Sequence, residues 1–96
     1  MTAVRLKIGH GWIFLNRIER DGMNLILTAL EKSGKRDLLM EDFVKLTGRS
    51  YVSVSHLLFI LVAIGVLRVR QISRARIFNR SANFQEKLKE RIVYYE

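Results

Sequence analysis

The sequence predicts an α+β, mainly α-helical domain: three helices, then a two-stranded hairpin, with an N-terminal strand segment and a C-terminal helix. Three observations support this prediction. Apolar residues recur with helical spacing in the middle of the chain, and they alternate with basic residues before and after it. Glycines separate the helical segments at Gly34, Gly48 and Gly65.

Length and charge limit the classes of protein to consider. Ninety-six residues suit a single domain, 1–96, divided into an N-terminal extension (1–20), a core (22–80) and a C-terminal helix (83–95). The chain has 17 Lys and Arg against 9 Asp and Glu, a net charge of +8. Such a charge favours a polyanionic partner, with nucleic acid first and an anionic membrane surface second.

Several features are missing from the sequence. It has no cysteine, which rules out disulfides and thiolate metal sites and is compatible with a reducing, cytoplasmic location. The longest apolar run, 57–67, is too short to span a bilayer, and the N-terminus lacks the pattern of a secretory signal. We therefore expect no membrane partner, and no residue pattern indicates a small-molecule ligand or a cofactor.

The first twenty residues predict strands. Apolar side chains alternate with Arg5 and Lys7, the pattern of a half-buried strand, and Gly9-His10-Gly11 follows as a turn. The apolar run 12–15 either completes a hairpin or begins a helix, and we favour the hairpin. His10 is interpreted as an exposed turn residue.

Two helices are predicted next. The first covers 23–32, with Asp21 as its cap and an apolar stripe of Met23, Ile26, Leu27 and Leu30. The segment Leu38-Leu39 is long enough only for a brief strand. The second helix covers 40–47, with acidic residues in its first turn, where the helix dipole favours them.

The third helix is the segment around which the rest is organised. Gly48 is suited to the turn before it, and Ser50 is suited to cap it. Helical spacing gives it one buried face, made of Val54, Leu57, Leu58 and Leu61. A buried second half and a polar, exposed first half are the requirements of a helix that enters a DNA major groove.

A basic hairpin and a last helix complete the prediction. Segments 67–72 and 76–80 read as strands joined by 73–75, and they carry Arg68, Arg70, Arg74, Arg76 and Arg80. The helix 83–95 would begin with an Asn83–Glu86 capping box. Its apolar stripe would be Phe84, Leu88, Ile92 and Tyr95.

This order of elements resembles the winged helix-turn-helix domain of small prokaryotic regulators of the MarR-like and ArsR-like type. The resemblance covers 22–80 and is firmest from Thr47 to Gly65 and in the run 64–69. It implies binding to double-stranded DNA, with the third helix in the major groove and the hairpin, or wing, on the backbone or the adjacent minor groove. Apolar residues beyond those of a minimal winged helix, in 4–15, in 59–60 and in 84–95, predict a two-fold homodimer held by the N-terminal segment, the C-terminal helix or both. The implied DNA contacts are Arg49 and Ser50 to phosphates, Tyr51, Val52, Ser53, Ser55 and His56 to the groove, and Arg70, Arg74 and Arg76 on the wing.

Two features depart from that pattern. The wing has no glycine at its tip, which predicts a wider loop over 71–75. Phe59 and Ile60 stand where charged residues are common, with Ala63 on the same side. That apolar surface is expected to need cover from the N-terminal segment, the last helix or a second chain.

The sequence also bears on functions other than DNA binding. His56 lacks companions for a metal site, and the acidic residues are explained by capping and by pairing with lysines, so no enzyme is expected. Winged helices also serve as protein-interaction modules, and a less specific, architectural DNA-binding role is a further alternative. The apolar surface at Phe59 is the main argument for a protein partner.

Overall fold

The structure, a computed structural model, describes residues 3–34 and 37–95. Its elements in chain order are β1 (Ala3–Ile8), β2 (Gly11–Leu15), α1 (Arg17–Ser33), β3 (Leu38–Leu39), α2 (Met40–Thr47), α3 (Tyr51–Ala63), β4 (Leu67–Ile72), β5 (Ala75–Arg80), α4 (Phe84–Arg91) and β6 (Ile92–Tyr95). The strands form two antiparallel sheets, in the orders β2-β1-β6 and β3-β5-β4. The N-terminal hairpin and the brief strand β3 are confirmed. The chain has the winged-helix fold that the order of its elements predicts.

The core lies between the four helices and the two sheets. All four residues of the predicted inner face of α3 are buried, namely Val54, Leu57, Leu58 and Leu61. The wing, β4 and β5, joins this core through Phe78, which has no exposed surface. Its ring meets Phe43 of α2 and Phe59 of α3 edge to face, with centroids 6.0 and 6.1 Å apart.

The turns around α3 follow the predicted chemistry. Gly48 has φ of 69°, and its N–H donates to the carbonyl of Val44, which ends α2. The hydroxyl of Ser50 then accepts from the N–H of Ser53 and caps α3. Gly65 has φ of 83° and leads the chain into β4.

The predicted start of the first helix is wrong by six residues. α1 begins at Arg17, and its cap is Asn16 rather than Asp21. The Asn16 side chain accepts from the N–H of Glu19 at 2.8 Å, while the Asn16 N–H donates to the Glu19 carboxylate at 3.2 Å. Asp21 instead pairs with Arg20 inside the helix. The polar stretch from Asn16 is therefore the exposed first turn of the helix, with its own capping box.

Replacing Asn16 with alanine is expected to cost about 1 kcal/mol of unfolding free energy, because the N–H of Glu19 at the helix start loses the side-chain oxygen that caps it. Urea denaturation of the variant measures this loss. Asn83→Gly is the matched control, since Asn83 makes no side-chain cap and has φ of 59°, a conformation that glycine adopts without strain. A loss in Asn83→Gly as large as that in Asn16→Ala would contradict the assignment of the cap.

The predicted C-terminal helix 83–95 is also wrong in its last four residues. α4 ends at Arg91, and β6 then pairs with β1, with Ile92 opposite Leu6. The last residues of the described chain are β-branched and aromatic types, which favour a strand once the edge of β1 offers backbone partners. The expected Asn83–Glu86 capping box is absent, because Asn83 adopts the left-handed conformation.

The wing turn is tighter than predicted. Ile72 pairs directly with Ala75, so the loop contains only Ser73 and Arg74. Ser73 has φ of 55° and takes the backbone conformation that a glycine would otherwise supply. The turn therefore presents Arg74 at the very tip of the wing.

Candidate nucleic-acid interface

A cleft of about 350 Å³ lies where the starts of α2 and α3 meet the outer end of the wing. Its lining combines the first residue of α3, the wing tip and the segment around the start of α2. The lining residues are Leu39, Met40, Glu41, Tyr51, Gln71, Arg74, Ala75 and Arg76. Three residues predicted to contact DNA, Tyr51, Arg74 and Arg76, are thus brought together.

The register of the wing decides which of its side chains reach this cleft. Gln71 lies opposite Arg76, so their side chains share one face of the hairpin. The guanidinium of Arg76 lies over the ring of Phe59, 5.1 Å from its centroid. This contact holds a cation between the wing and α3.

The start of α3 offers exposed and half-buried side chains. Tyr51 is 56% exposed and Val52 is 78% exposed, while Ser53 and Ser55 are half-buried. Arg49, just before the helix, is also half-buried. Its N–H donates to the hydroxyl of Thr47 at 3.3 Å, which fixes the backbone of the turn. The first turn of α3 therefore presents Tyr51 and Val52 furthest into solvent.

His56 lies on a different side of α3 from the cleft. Its ring is exposed, and Nε2 is 3.1 Å from the carboxylate of Glu19 in α1. This is an exposed pair, of the kind that contributes little to stability. The contact directs His56 toward the start of α1, and Glu19 also serves there in the capping box.

Arg70 lies on the face of the hairpin turned away from Gln71 and Arg76. There it pairs with the carboxylate of Asp37 at 3.3 Å, and Asn79 donates to the other oxygen of the same group. The structure therefore separates Arg70 from Arg74 and Arg76, although all three were grouped on the wing. Arg80 lies on the face of β5 that also carries Phe78, and its guanidinium donates to the carbonyl of Leu30 in α1.

The apolar surface of α3 is smaller than expected. Ile60 is half-buried against the core, and Phe59 is 36% exposed because Phe78 and Arg76 of the wing cover the rest of its ring. The cover comes from the wing of the same chain, which was not among the three sources expected. Val52 and Ala63 are the other exposed apolar residues on the outward side of α3.

Sequence reasoning missed Gln71 and Glu41 as neighbours of Tyr51. A two-residue turn pairs Gln71 with Arg76. The wider loop expected over 71–75 left Gln71 outside the paired strands, so this register was not predicted. Glu41 was recognised only as a helix-dipole residue of α2. The carboxylate gives the cleft one negative charge beside two guanidinium groups.

Within 3–34 and 37–95, no group of three or more His, Asp or Glu is placed to hold a metal ion. Over the same residues, no single helix has the length and apolarity to cross a bilayer. The pair α2 and α3 passes that test only together, with a bend of 114° between them.

The chain is similar to two solved structures of DNA-associated proteins. No family model matches the sequence, and no curated protein matches it. Sso10a-2, described as a DNA-binding protein from Sulfolobus solfataricus, superposes with a TM-score of 0.58 at 18% identity, over 79% of this chain and 74% of that one. TubR of type III plasmid segregation has a TM-score of 0.58 at 19% identity, over 84% of this chain and 92% of its own. At these identities, the likenesses show a shared fold.

Proposed function

We propose that this protein binds double-stranded DNA, with the first turns of α3 in the major groove and the wing on the phosphate backbone. The observation that supports this most is the cleft that joins Tyr51 to Arg74 and Arg76. A transcriptional regulator of MarR-like or ArsR-like type, acting in the cytoplasm, is the form of the proposal that the order of elements favours. The two solved structures, one named as a DNA-binding protein and one from plasmid segregation, support the DNA-binding part.

The two arginines have separate tasks in this proposal. Arg74 meets phosphate at the wing tip, where its side chain is exposed. Arg76 meets phosphate closer to α3, because its stacking on Phe59 holds the guanidinium in place. Each phosphate contact releases condensed counterions, which supplies affinity without sequence preference. Arg49 and Ser50 at the helix start are proposed as further phosphate contacts.

Sequence preference is assigned to the exposed start of α3. The Tyr51 hydroxyl reads a base edge, Val52 packs against a thymine methyl, and the hydroxyls of Ser53 and Ser55 line the same groove. His56 joins this surface when it leaves Glu19, a change that an exposed pair permits at small cost.

Tyr51→Ala is expected to weaken binding to the preferred sequence by about 1–3 kcal/mol and to relax the choice of base at one position. Selection from a random duplex library, followed by gel-shift titration, measures both effects. Leu46→Ala is the matched control, because Leu46 is 52% exposed on α2 and lies outside the cleft lining. An unchanged preferred sequence in Tyr51→Ala would remove base reading from this residue.

The protein is proposed to bind as a homodimer through a groove between α1 and α4. The groove has a volume of about 370 Å³, and its lining is mostly apolar. The lining residues are Leu27, Glu31, Phe84, Leu88, Lys89 and Ile92. Glu31 and Lys89 have opposite charges, so a two-fold axis through the groove would set Glu31 of one copy near Lys89 of the other. To bind two half-sites, the dimer needs its two α3 helices about one DNA turn, ~34 Å, apart.

Leu88→Glu is expected to shift the protein to a monomer, because a carboxylate in an apolar interface loses its hydration. Sedimentation equilibrium of the full chain at micromolar concentration measures the mass. Leu46→Glu is the control, with the same change on an exposed leucine of α2. A monomeric wild type, or equal behaviour of the two variants, would exclude this interface. Truncation after Asn83 does not test it, because β6 would be removed from the sheet.

The function itself is tested by gel shift with random duplex and with DNA from upstream of its own gene, at two salt concentrations. Tighter binding to the upstream DNA, with affinity falling as salt rises, is the expected result. Salt dependence without preference would identify an architectural binder. No duplex binding at low salt would contradict the proposal and favour the alternative of a protein partner.

A further inference from the structure

The outer face of the sheet β2-β1-β6 carries aromatic and basic side chains together. Arg5 lies opposite Phe14 and Lys7 lies opposite Trp12, so these four side chains share one face, while Leu6 between them turns into the core. Phe14 is 62% exposed and Trp12 is 39% exposed. The Arg5 guanidinium lies over the Trp12 ring, 4.1 Å from its centroid. We call these four residues the aromatic face.

The strands of this sheet carry basic residues and no acidic ones, and a carboxylate from outside the sheet, that of Glu90 in α4, lines a pocket together with Lys7. The first eighteen residues include no aspartate or glutamate, and the strand β6 contains none either. Arg5 and Lys7 therefore stand on a sheet whose own strands supply no neutralising carboxylate. A ligand for this face needs negative charge and flat, apolar groups together.

The aromatic face is separate from the duplex cleft. Lys7 and Gly9 of the β1–β2 hairpin lie beside Ala63 and Ile64, at the end of α3. Tyr51 begins the same helix twelve residues earlier than Ala63. At 1.5 Å per residue, the two ends of α3 are about 18 Å apart. A ligand on the aromatic face therefore meets different residues from a duplex in the cleft.

We propose that the aromatic face binds single-stranded nucleic acid. Trp12 and Phe14 are two positions apart on one strand, about 7 Å, so one of two neighbouring unpaired bases stacks on the Phe14 ring and the other reaches the position of Trp12. The guanidinium over Trp12 offers a planar, charged surface on which a base also stacks. Lys7 and Arg5 meet the phosphates that connect the bases. The inference extends beyond duplex binding and does not depend on it.

The charge pattern argues against the other occupants of such a face. A second copy placed on it by a two-fold axis would bring Arg5 and Lys7 toward the same cations, which is unfavourable. A duplex keeps its bases stacked internally and offers these rings no base faces. An unpaired strand has both phosphates and free base faces, and it complements the chain's net charge of +8.

Trp12 is the sole tryptophan, so its fluorescence reports on this face alone. The experiment titrates the full chain with a short oligothymidylate and follows the Trp12 emission. Parallel titrations use the matching duplex, anionic phospholipid vesicles and dilution of the protein by itself. We expect saturable quenching by the single strand and much weaker quenching by the duplex. Equal quenching by duplex, or a response only to vesicles or to dilution, would overturn the proposal.

Two variants sharpen the test. Phe14→Ala is expected to weaken oligothymidylate binding roughly 5- to 150-fold, the effect of losing one stacking ring. Phe14→Leu keeps an apolar side chain but removes the ring, and it is expected to weaken binding to a similar degree. Leu46→Ala, far from this sheet in the sequence, is the control. If both Phe14 variants bind oligothymidylate like the control, no base stacks on Phe14 and the proposal fails.

Duplex binding in the same variants separates the two proposals. Phe14→Ala is expected to leave duplex affinity as in wild type, because Phe14 lies outside the cleft lining. A duplex that fails to bind wild type while oligothymidylate quenches Trp12 would reject the duplex proposal alone. Normal duplex binding without quenching of Trp12 by oligothymidylate would reject the single-strand proposal alone.

Discussion

Replacing Phe78 with alanine is expected to cost about 3–5 kcal/mol of unfolding free energy. The ring has no exposed surface and packs edge to face against both Phe43 and Phe59. Alanine leaves a cavity where the wing meets α2 and α3, and the surrounding backbone cannot fully close it. Since small domains are stable by only about 5–15 kcal/mol in total, the loss is a large share of the stability.

Urea denaturation of wild type and Phe78→Ala measures this cost. Ile72→Ala is the matched control, because Ile72 lies on the same hairpin but is 51% exposed. Its loss is expected to stay within about 0.5 kcal/mol. Similar losses in the two variants would mean that Phe78 does not anchor the wing to the helices.

Removing both Arg74 and Arg76 is expected to weaken duplex binding roughly 30-fold at about 0.15 M salt. Each phosphate contact contributes about 0.9 to the slope of log affinity against log salt, so the double variant should lose about 1.8. Fluorescence anisotropy of a labelled duplex across a salt series measures affinity and slope together. Arg76 also stacks on Phe59, so the fold of the variant is checked by its circular dichroism.

The control removes two other cations from the chain. Arg17→Ala with Arg68→Ala lowers the net charge equally, but both residues are exposed outside the cleft lining. A smaller change of slope is expected in this pair. Equal changes in the two double variants would show that net charge, rather than the wing tip, controls DNA affinity.

Hydrophobic periodicity predicted the elements that bury one face and expose the other. The inner face of α3 and the N-terminal hairpin depend only on alternation and helical spacing, and both are confirmed. The start of α1 was missed although Asn16 and Glu19 carried the signal of a capping box. The strand β6 was missed because its partner β1 is at the other end of the chain, and only tertiary structure brings them together.

The candidate site was predictable in composition but not in arrangement. An exposed Tyr51 and an arginine at the wing tip followed from the turn and strand patterns. The pairing of Arg70 with Asp37 and of His56 with Glu19 joins residues more than thirty positions apart. No local sequence pattern predicts ion pairs of this kind. The predicted contacts therefore divide into a group at the cleft and a group directed elsewhere.

Backbone amide NMR of the full chain during titration with duplex DNA tests the central claim most directly. Each amide reports on its own position, so the surface that meets DNA is read without any substitution. The proposed binding mode predicts that the largest shift changes fall in 49–53 and 71–76, the start of α3 and the wing tip. Largest changes in β1 and β2, with 49–53 and 71–76 unaltered, would contradict it.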